Sequence, residues 1–192
     1  EPTLFRVLAQ KAEALEVRRR VPAVLGMIGG AEALSALVAV LDTRDPELRA
    51  AAAREAARIR ERTPRAHIDD DALSAALRRE LRGAYQTLAT IEDLGLDGDD
   101  LLLEALEVRL GQKLSLVFRL LEVRYPGRAV RLVSANLSAE SRVVRANALE
   151  VAENILSREE SRLLLPLLEE IPRPSKVERG EEHFELRHRS AE

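Results

Sequence analysis

The sequence has no cysteine and no tryptophan, and it has only three histidines. Without cysteine, the chain can form no disulfide and no thiolate metal site, and it has no cysteine nucleophile. Three histidines are too few for a cluster of imidazole ligands, and the H-E-x-x-H pattern of zinc proteases does not occur. The G-x-S-x-G turn of serine hydrolases does not occur either. The sequence therefore predicts a protein that is not an enzyme and that uses no metal and no cofactor.

Aromatic residues make up 3% of the chain, although 46% of the residues are hydrophobic. The core must therefore consist of Leu, Ala and Val, and Leu and Ala have high helix propensity. The β-branched and aromatic clusters that predict strands are missing. No apolar run approaches the roughly 20 residues that span a bilayer. We expect an all-α protein that does not insert into a membrane, and the lack of cysteine favours a cytoplasmic location.

The sequence starts at Glu1 and its single methionine is Met27. We therefore expect a segment of a longer protein. The basic residues are nearly all arginine, with three lysines, which is typical of a GC-rich bacterial genome.

The net charge of −3 is unevenly distributed along the chain. It is +3 over residues 1–65, −7 over 66–110, +4 over 111–158 and −3 over 159–192. A nucleic-acid-binding domain normally carries one sustained basic face. In this chain an acidic middle separates the basic stretches, so nucleic-acid binding by a helical array is only the alternative function. Retention on heparin or a steep salt dependence of DNA binding would favour it.

An internal repeat relates two parts of the chain. Residues 26–59 align without a gap with residues 122–155, an offset of 96 positions. Apolar positions coincide in the two copies, in the pairs Leu37 and Val133, Leu41 and Leu137, Leu48 and Val144, Ala52 and Ala148, Ala56 and Ala152, and Ile59 and Ile155. Each copy is predicted to be a helix, a short polar turn and a second helix.

The turn in the first copy has a clear start signal for the second helix. Asp45 is placed to cap that helix, and Pro46 stands at its first position, where the missing N–H costs nothing. In the second copy we expect Ser138 and Ser141 to take the capping role.

The periodicity predicts nine helices. We place them near 3–13, 16–28, 31–42, 46–62, 71–93, 99–124, 127–137, 141–156 and 160–171. Gly29 and Gly30 are expected to end the second helix. Residues 172–192 are polar and read as a linker or tail, which leaves one helical domain over residues 1–171.

Helix pairs repeated at about 40 residues, with Asp-Pro in the turn between the helices, are typical of a HEAT/armadillo-type α-solenoid. We expect such an array of roughly four to five helical hairpins with two long central helices. Such an array has a concave wall formed by the second helix of each pair. From the helical spacing we expect this wall to expose the candidate contact residues Arg54, Arg58, Asn147, Glu150 and Asn154. Arg49 and Arg145 occupy equivalent positions in the repeat, and we expect both to bond to a neighbouring turn.

Residues 113–156 resemble part of a known family more closely. The matching motifs are Phe118-Arg119-Leu120-Leu121, Tyr125-Pro126, Arg145-Ala146-Asn147-Ala148-Leu149-Glu150 and Asn154-Ile155-Leu156. They resemble the HEAT array of bacterial fusion proteins that join an ATP/ADP translocase-like membrane part to a cyclic-nucleotide-binding domain. A long helix before this array also fits the family, whereas Gly127 and Arg128 stand where the family tends to be acidic.

The resemblance implies a non-catalytic interaction and regulatory domain. Its partners would be another protein or the neighbouring domains of the same polypeptide. It would lie in the cytoplasm, and the rest of the chain would hold it at the cytoplasmic face of the inner membrane. Neither nucleic-acid binding nor direct membrane insertion is expected.

Two acidic clusters have two interpretations each. The residues 69–71 beside His67 form either a weak divalent-ion site or a capped helix start. Asp97, Asp99 and Asp100 either belong to a calcium loop or cap a helix. The order of carboxylates and glycine differs from that of an EF-hand, so we expect capping in both clusters.

Two basic segments also have a functional and a structural interpretation. Gly111-Gln112-Lys113 has some features of a phosphate-binding loop but lacks its glycine spacing. Arg18, Arg19 and Arg20 could contact anionic lipid or nucleic acid, yet adjacent residues on a helix point in different directions. We expect the first segment to be helical and the second to be solvated surface.

Overall fold

The computed structural model describes residues 2–10, 12–98 and 100–188, and this part of the chain contains helices and turns but no strand. The all-α prediction is confirmed. The helices are α1 (Pro2–Ala9), α2 (Leu15–Ile28), α3 (Gly30–Ala39), α4 (Pro46–Arg62), α5 (Asp70–Asp93), α6 (Leu101–Arg124), α7 (Ala129–Leu137), α8 (Arg142–Ile155), α9 (Arg158–Leu168) and α10 (Arg173–Glu181), with a short 3-10 helix at Val40–Asp42.

The two long central helices were predicted to within two residues at each end. Helices α5 and α6 each have 24 residues. At the end of α2, Gly29 has φ of 73° and its N–H donates to the carbonyl of Leu25. This left-handed backbone is unfavourable for any residue with a Cβ. The predicted glycine end of the second helix is therefore confirmed.

The chain divides into two compact units. Unit 1 comprises residues 1–77 and 119–127, and unit 2 comprises residues 78–118 and 128–192. Helices α5 and α6 each contribute to both units. The predicted boundary between residues 171 and 172 does not coincide with this division.

The core of unit 1 is formed by aliphatic side chains of α1 to α4, together with those parts of α5 and α6 that belong to this unit. Leu25, Leu34, Leu37 and Leu48 are fully buried, and so is the alanine stripe of α4 that contains Ala52. Small side chains on this stripe allow neighbouring helices to approach closely, which lets an aliphatic core pack well without large aromatic rings.

The start of α4 is fixed by Asp45, as predicted. Its Oδ1 accepts a hydrogen bond of 2.7 Å from the N–H of Leu48. Arg19 donates to both carboxylate oxygens, at 3.1 and 2.6 Å, and this bond is the largest cause that lowers the pKa of Asp45. The cap is therefore charged at neutral pH and braces α2 against α4.

The equivalent cap in the second copy is weaker than predicted. Ser141 stands at the N-cap of α8, but its side chain makes no capping hydrogen bond, and Ser138 lies at the C-terminal end of α7. The side-chain capping expected of these serines is wrong. A hydroxyl is a weaker acceptor than the Asp45 carboxylate.

The same arginine bonds occur in both repeat copies. Arg49 Nη1 donates to the carbonyls of Thr43 and Arg44, at 2.9 and 3.0 Å. Arg145 Nη1 donates to the carbonyls of Ala139 and Glu140, both at 2.7 Å. The acceptors stand six and five positions before the arginine in each copy, so the prediction that both arginines bond to a turn is confirmed.

Residues 173–188 differ from the predicted linker. The chain forms α10, in which Val177 and Gly180 are buried, and Phe184 beyond it is buried too. These three residues are too few to produce a visible helical period, but Gly180 and Phe184 pack against Tyr85 of α5. Residues 189–192 of the predicted tail lie outside the described part of the chain.

Candidate functional site

Of the predicted contact residues, Arg54 and Arg58 lie on α4 of unit 1. Both are exposed, but both also bond to Glu55, whose side chain is 4% exposed. Arg54 Nε lies 3.1 Å from Glu55 Oε1, and Arg58 Nη1 lies 3.2 Å from Glu55 Oε2. The two arginines therefore neutralise a buried carboxylate, which is a structural role that the sequence did not predict.

Gly26 on α2 makes room for this carboxylate. A Cβ at residue 26 would lie 2.3 Å from Glu55 Oε2 and 3.0 Å from Glu55 Cβ. Any larger side chain would displace Glu55 from its position between the arginines. A substitution at Arg54 or Arg58 would thus change the packing of α2 on α4 as well as the surface.

The other predicted contact residues, Asn147, Glu150 and Asn154, lie on α8 of unit 2 and are all exposed. Asn154 Nδ2 donates to the carbonyl of Glu150 at 2.9 Å, within the helix. Val143 and Val151 fall on the same face by helical spacing and are 69% and 44% exposed. We call these five residues the α8 face. It is a mixed apolar and polar surface with few internal bonds.

A third surface, on α5 in unit 2, was not predicted. Three of its side chains donate to main-chain carbonyls of the segment 183–188. Arg78 Nη2 bonds to the carbonyl of residue 183 at 3.1 Å, and Arg82 Nη2 to that of residue 185 at 3.1 Å. Gln86 Nε2 bonds to the carbonyl of Arg187 at 2.7 Å, and Gln86 Oε1 accepts from the N–H of the same residue at 2.9 Å.

Phe184 anchors this docked segment. Its ring centroid lies 5.8 Å from that of Tyr85, and the Arg78 guanidinium lies 5.1 Å from the Phe184 ring centroid. Tyr85 is itself completely buried, and its hydroxyl donates to the carbonyl of Leu163 at 2.9 Å. Burial raises the pKa of Tyr85, so the hydroxyl stays protonated and keeps this bond.

His188 lies at the far end of the docked segment, between two carboxylates. Nδ1 lies 2.9 Å from Asp93 Oδ1 on α5, and Nε2 lies 2.6 Å from Glu181 Oε1 on α10. The bond to Asp93, followed by the bond to Glu181, raises the pKa of His188 above its ordinary value. Both ring nitrogens can donate only when the imidazole is protonated.

A sequence signal for this surface does exist. Arg78, Arg82 and Gln86 are spaced four residues apart and therefore lie on one helical face. Phe184 and Leu186 alternate with polar residues, which is the period-two pattern of an extended segment. However, the segment is too short to outweigh the polar composition around it, and nothing in the sequence links it to α5.

The two acidic clusters contain helix caps, as expected. Asp69 Oδ1 accepts from the N–H of Ala72 at 2.9 Å, and Asp100 Oδ1 accepts from the N–H of Leu102 at 2.7 Å. Asp99 of the second cluster lies outside the described residues. Within the ranges that the structure describes, no group of three or more His, Cys, Asp or Glu could hold a metal ion.

The two basic segments also form structural bonds. Lys113 is part of α6, and its Nζ lies 2.7 Å from Oε2 of the buried Glu80. Arg18 is buried and donates to the carbonyl of Leu8, while Arg19 bonds to Asp45, so the solvated surface expected of this segment is wrong for Arg18. Among the described helices, none is both long enough and apolar enough to cross a bilayer.

Comparison with known proteins adds no relative. No family, no curated protein and no solved structure matches this chain.

Proposed function

We propose that this chain is a non-catalytic HEAT-type interaction and regulatory module of a larger, membrane-associated, transporter-like protein with a cyclic-nucleotide-binding domain. Its partners are neighbouring domains of the same polypeptide or another protein. The α8 face, with Val143, Asn147, Glu150, Val151 and Asn154, is the proposed contact surface.

The observation that carries the repeat assignment is the matched pair of helical hairpins. Arg49 and Arg145 make the same bonds to the turns before them, although they stand 96 positions apart. A helical hairpin that recurs with its turn contacts is the building block of an α-solenoid, and such arrays serve mainly as binding surfaces.

The exposed valines support the choice of surface. Exposed apolar side chains grouped on one helix face mark interaction sites more often than scattered ones do. Val143 and Val151 stand beside the side-chain amides of Asn147 and Asn154, which can bond to a partner without the desolvation cost of a charge.

The contacts of the arginines favour a protein partner over a nucleic acid. Arg18, Arg49 and Arg145 donate to main-chain carbonyls, and Arg19 and Arg54 bond to carboxylates of this chain. These guanidinium groups would have to give up internal bonds in order to bind phosphate.

The proposal is tested with the domains encoded on either side of this segment in its gene. Each is purified and titrated into the chain by isothermal calorimetry. Glu150→Arg is expected to weaken binding at least tenfold, because a charge reversed at an interface is placed opposite a like charge, which costs several kcal/mol. The matched control is Glu178→Arg on α10, an exposed glutamate outside the α8 face.

Two outcomes would contradict the proposal. If Glu150→Arg and Glu178→Arg bind equally well, the α8 face is not the contact surface. If the flanking reading frame encodes neither a transporter-like part nor a cyclic-nucleotide-binding domain, the fusion assignment is wrong.

A further inference from the structure

We propose that the α5 surface formed by Arg78, Arg82, Gln86 and Tyr85 is a binding site for an acidic, extended peptide that carries a phenylalanine, and that residues 183–188 occupy this site within the same molecule. The inference goes beyond the proposed function, because it concerns a different surface and a specific class of ligand. The partner segment would displace the docked segment and take its place.

The spacing of the bonds indicates a site that recognises main chain. Residues 183 and 184 still belong to the turn that ends α10, where both N–H groups donate to the carbonyl of Gly180. Four residues on α5 rise about 6 Å, and from this turn onward the docked segment covers that distance in two residues, at about 3 Å each, which is close to an extended chain. The side chains at 78, 82 and 86 therefore meet the carbonyls of residues 183, 185 and 187 in register. Every residue has a carbonyl, so these bonds do not depend on the identity of the bound side chains.

Gln86 makes the most specific of these contacts. Its amide donates to the carbonyl of Arg187 and accepts from the N–H of the same residue. Only a backbone whose N–H and C=O both lack internal partners can satisfy this pair of bonds. An extended segment meets that condition, whereas the interior of a helix does not.

Side-chain selectivity comes from the anchor and from charge. Phe184 is 7% exposed and lies against Tyr85 and the Arg78 guanidinium, so the site selects an aromatic residue at this position. Arg82 makes the surface basic beside Arg78, which also pairs with Glu159 at 3.1 Å, and the segment around the phenylalanine contains Glu182 and Glu185. A ligand with carboxylates on both sides of a phenylalanine matches this surface.

The docked segment limits access for a second peptide. Because it is joined to α10, its effective concentration at the site is on the order of millimolar, far above that of a dilute peptide in solution. A free peptide of the same sequence should therefore bind weakly to the wild-type chain and more tightly once the intramolecular segment is released.

The test uses the full chain and a fluorescein-labelled synthetic peptide with the sequence of residues 181–188. Binding is measured by fluorescence anisotropy. Two variants release the docked segment by different routes: Phe184→Ala removes the anchor, and Arg187→Pro removes the N–H that bonds to Gln86. Each is expected to bind the peptide at least tenfold more tightly than the wild type does, with unchanged helical circular dichroism.

Matched controls distinguish peptide binding at the α5 surface from non-specific electrostatic attraction. In the Phe184→Ala chain, the further change Arg82→Ala should weaken peptide binding about tenfold, whereas Arg109→Ala, an exposed arginine on α6, should leave it unchanged. A peptide with alanine in place of phenylalanine should also bind at least tenfold more weakly.

Equal peptide affinity of wild type and both released variants would overturn the proposal, as would equal effects of Arg82→Ala and Arg109→Ala. The charge reversal Glu150→Arg on α8 should not alter peptide binding, so failure here is distinguishable from failure of the proposed function.

Discussion

Gly180 provides a sharp test of how α10 packs on α5. A Cβ at this position would lie 2.4 Å from Tyr85 Cδ1, 2.7 Å from Cγ and 3.1 Å from Cβ. The Tyr85 ring cannot move aside, because it is completely buried and held by its bond to the carbonyl of Leu163. In Gly180→Ala, α10 must shift away from α5.

Two opposing effects decide the stability of this variant. Alanine is better than glycine in a helix by at most about 1 kcal/mol, and less near the end of a helix such as α10. Overpacking against a fixed ring costs about 1–3 kcal/mol, and a separation of 2.4 Å places this case near the upper value. We therefore expect Gly180→Ala to lower the free energy of unfolding by about 2 kcal/mol.

Gly111 is the matched control. It also lies within a helix, α6, but a Cβ there would meet nothing within 4 Å. Gly111→Ala should therefore raise the free energy of unfolding by about 0.5–1 kcal/mol. Urea denaturation followed by circular dichroism measures both variants. If Gly180→Ala is as stable as Gly111→Ala or more so, the packing of Gly180 on Tyr85 is not as described.

Three further predictions concern charged side chains. Arg145→Ala removes two bonds to turn carbonyls and the bonds to Glu170, and it should lower the free energy of unfolding by about 1–3 kcal/mol. Arg142→Ala, which is 86% exposed and lies 3.6 Å from the same Glu170, should change it by less than about 0.5 kcal/mol. Equal effects of the two variants in urea denaturation would contradict the structural role of Arg145. Lys113→Met takes the close ammonium from Glu80, whose side chain is 1% exposed. It should cost about 3 kcal/mol in urea denaturation, and a cost no larger than that of Arg109→Ala, an exposed arginine on the same helix, would argue against a buried charge pair. Because the pKa of His188 is raised, its contribution to the stability of the docked segment is fully present below the ordinary pKa of 6.5 and is lost as the pH rises through the raised pKa. In hydrogen exchange corrected for intrinsic rates, the protection of residues 183–188 should therefore fall over that pH range. A similar fall in His188→Ala would show that His188 is not its cause.

Much of the fold could be predicted from short sequence patterns. Asp45 before a proline marked the start of α4, and Gly29 marked the end of α2, because caps and glycine turns act within a few residues of the chain. The repeat also predicted the shared role of Arg49 and Arg145, since equivalent positions in equivalent hairpins each face the turn of their own hairpin. The serine cap at residue 141 failed because the sequence shows that a hydroxyl is available but not where it points.

The binding surfaces were harder to predict. The exposure of Asn147, Glu150 and Asn154 followed from helical spacing, and the structure confirms it. The bonds of Arg54 and Arg58 to Glu55 are local to α4, but the burial of the Glu55 carboxylate, which makes these bonds structural, depended on how closely α2 approaches at Gly26. That distance is set by packing between helices rather than by the residues of α4 alone.

The sequence by itself determined that the chain is helical, where most helices begin and end, and which two hairpins are alike. These properties depend on propensity, periodicity and capping, all of which act between residues close in the chain. Only the tertiary structure decided that residues 183–188 dock on α5, about 100 positions earlier in the chain. The acceptors there are main-chain carbonyls, which are the same in every residue, so no pattern of side chains could have indicated which segment Arg78, Arg82 and Gln86 bind.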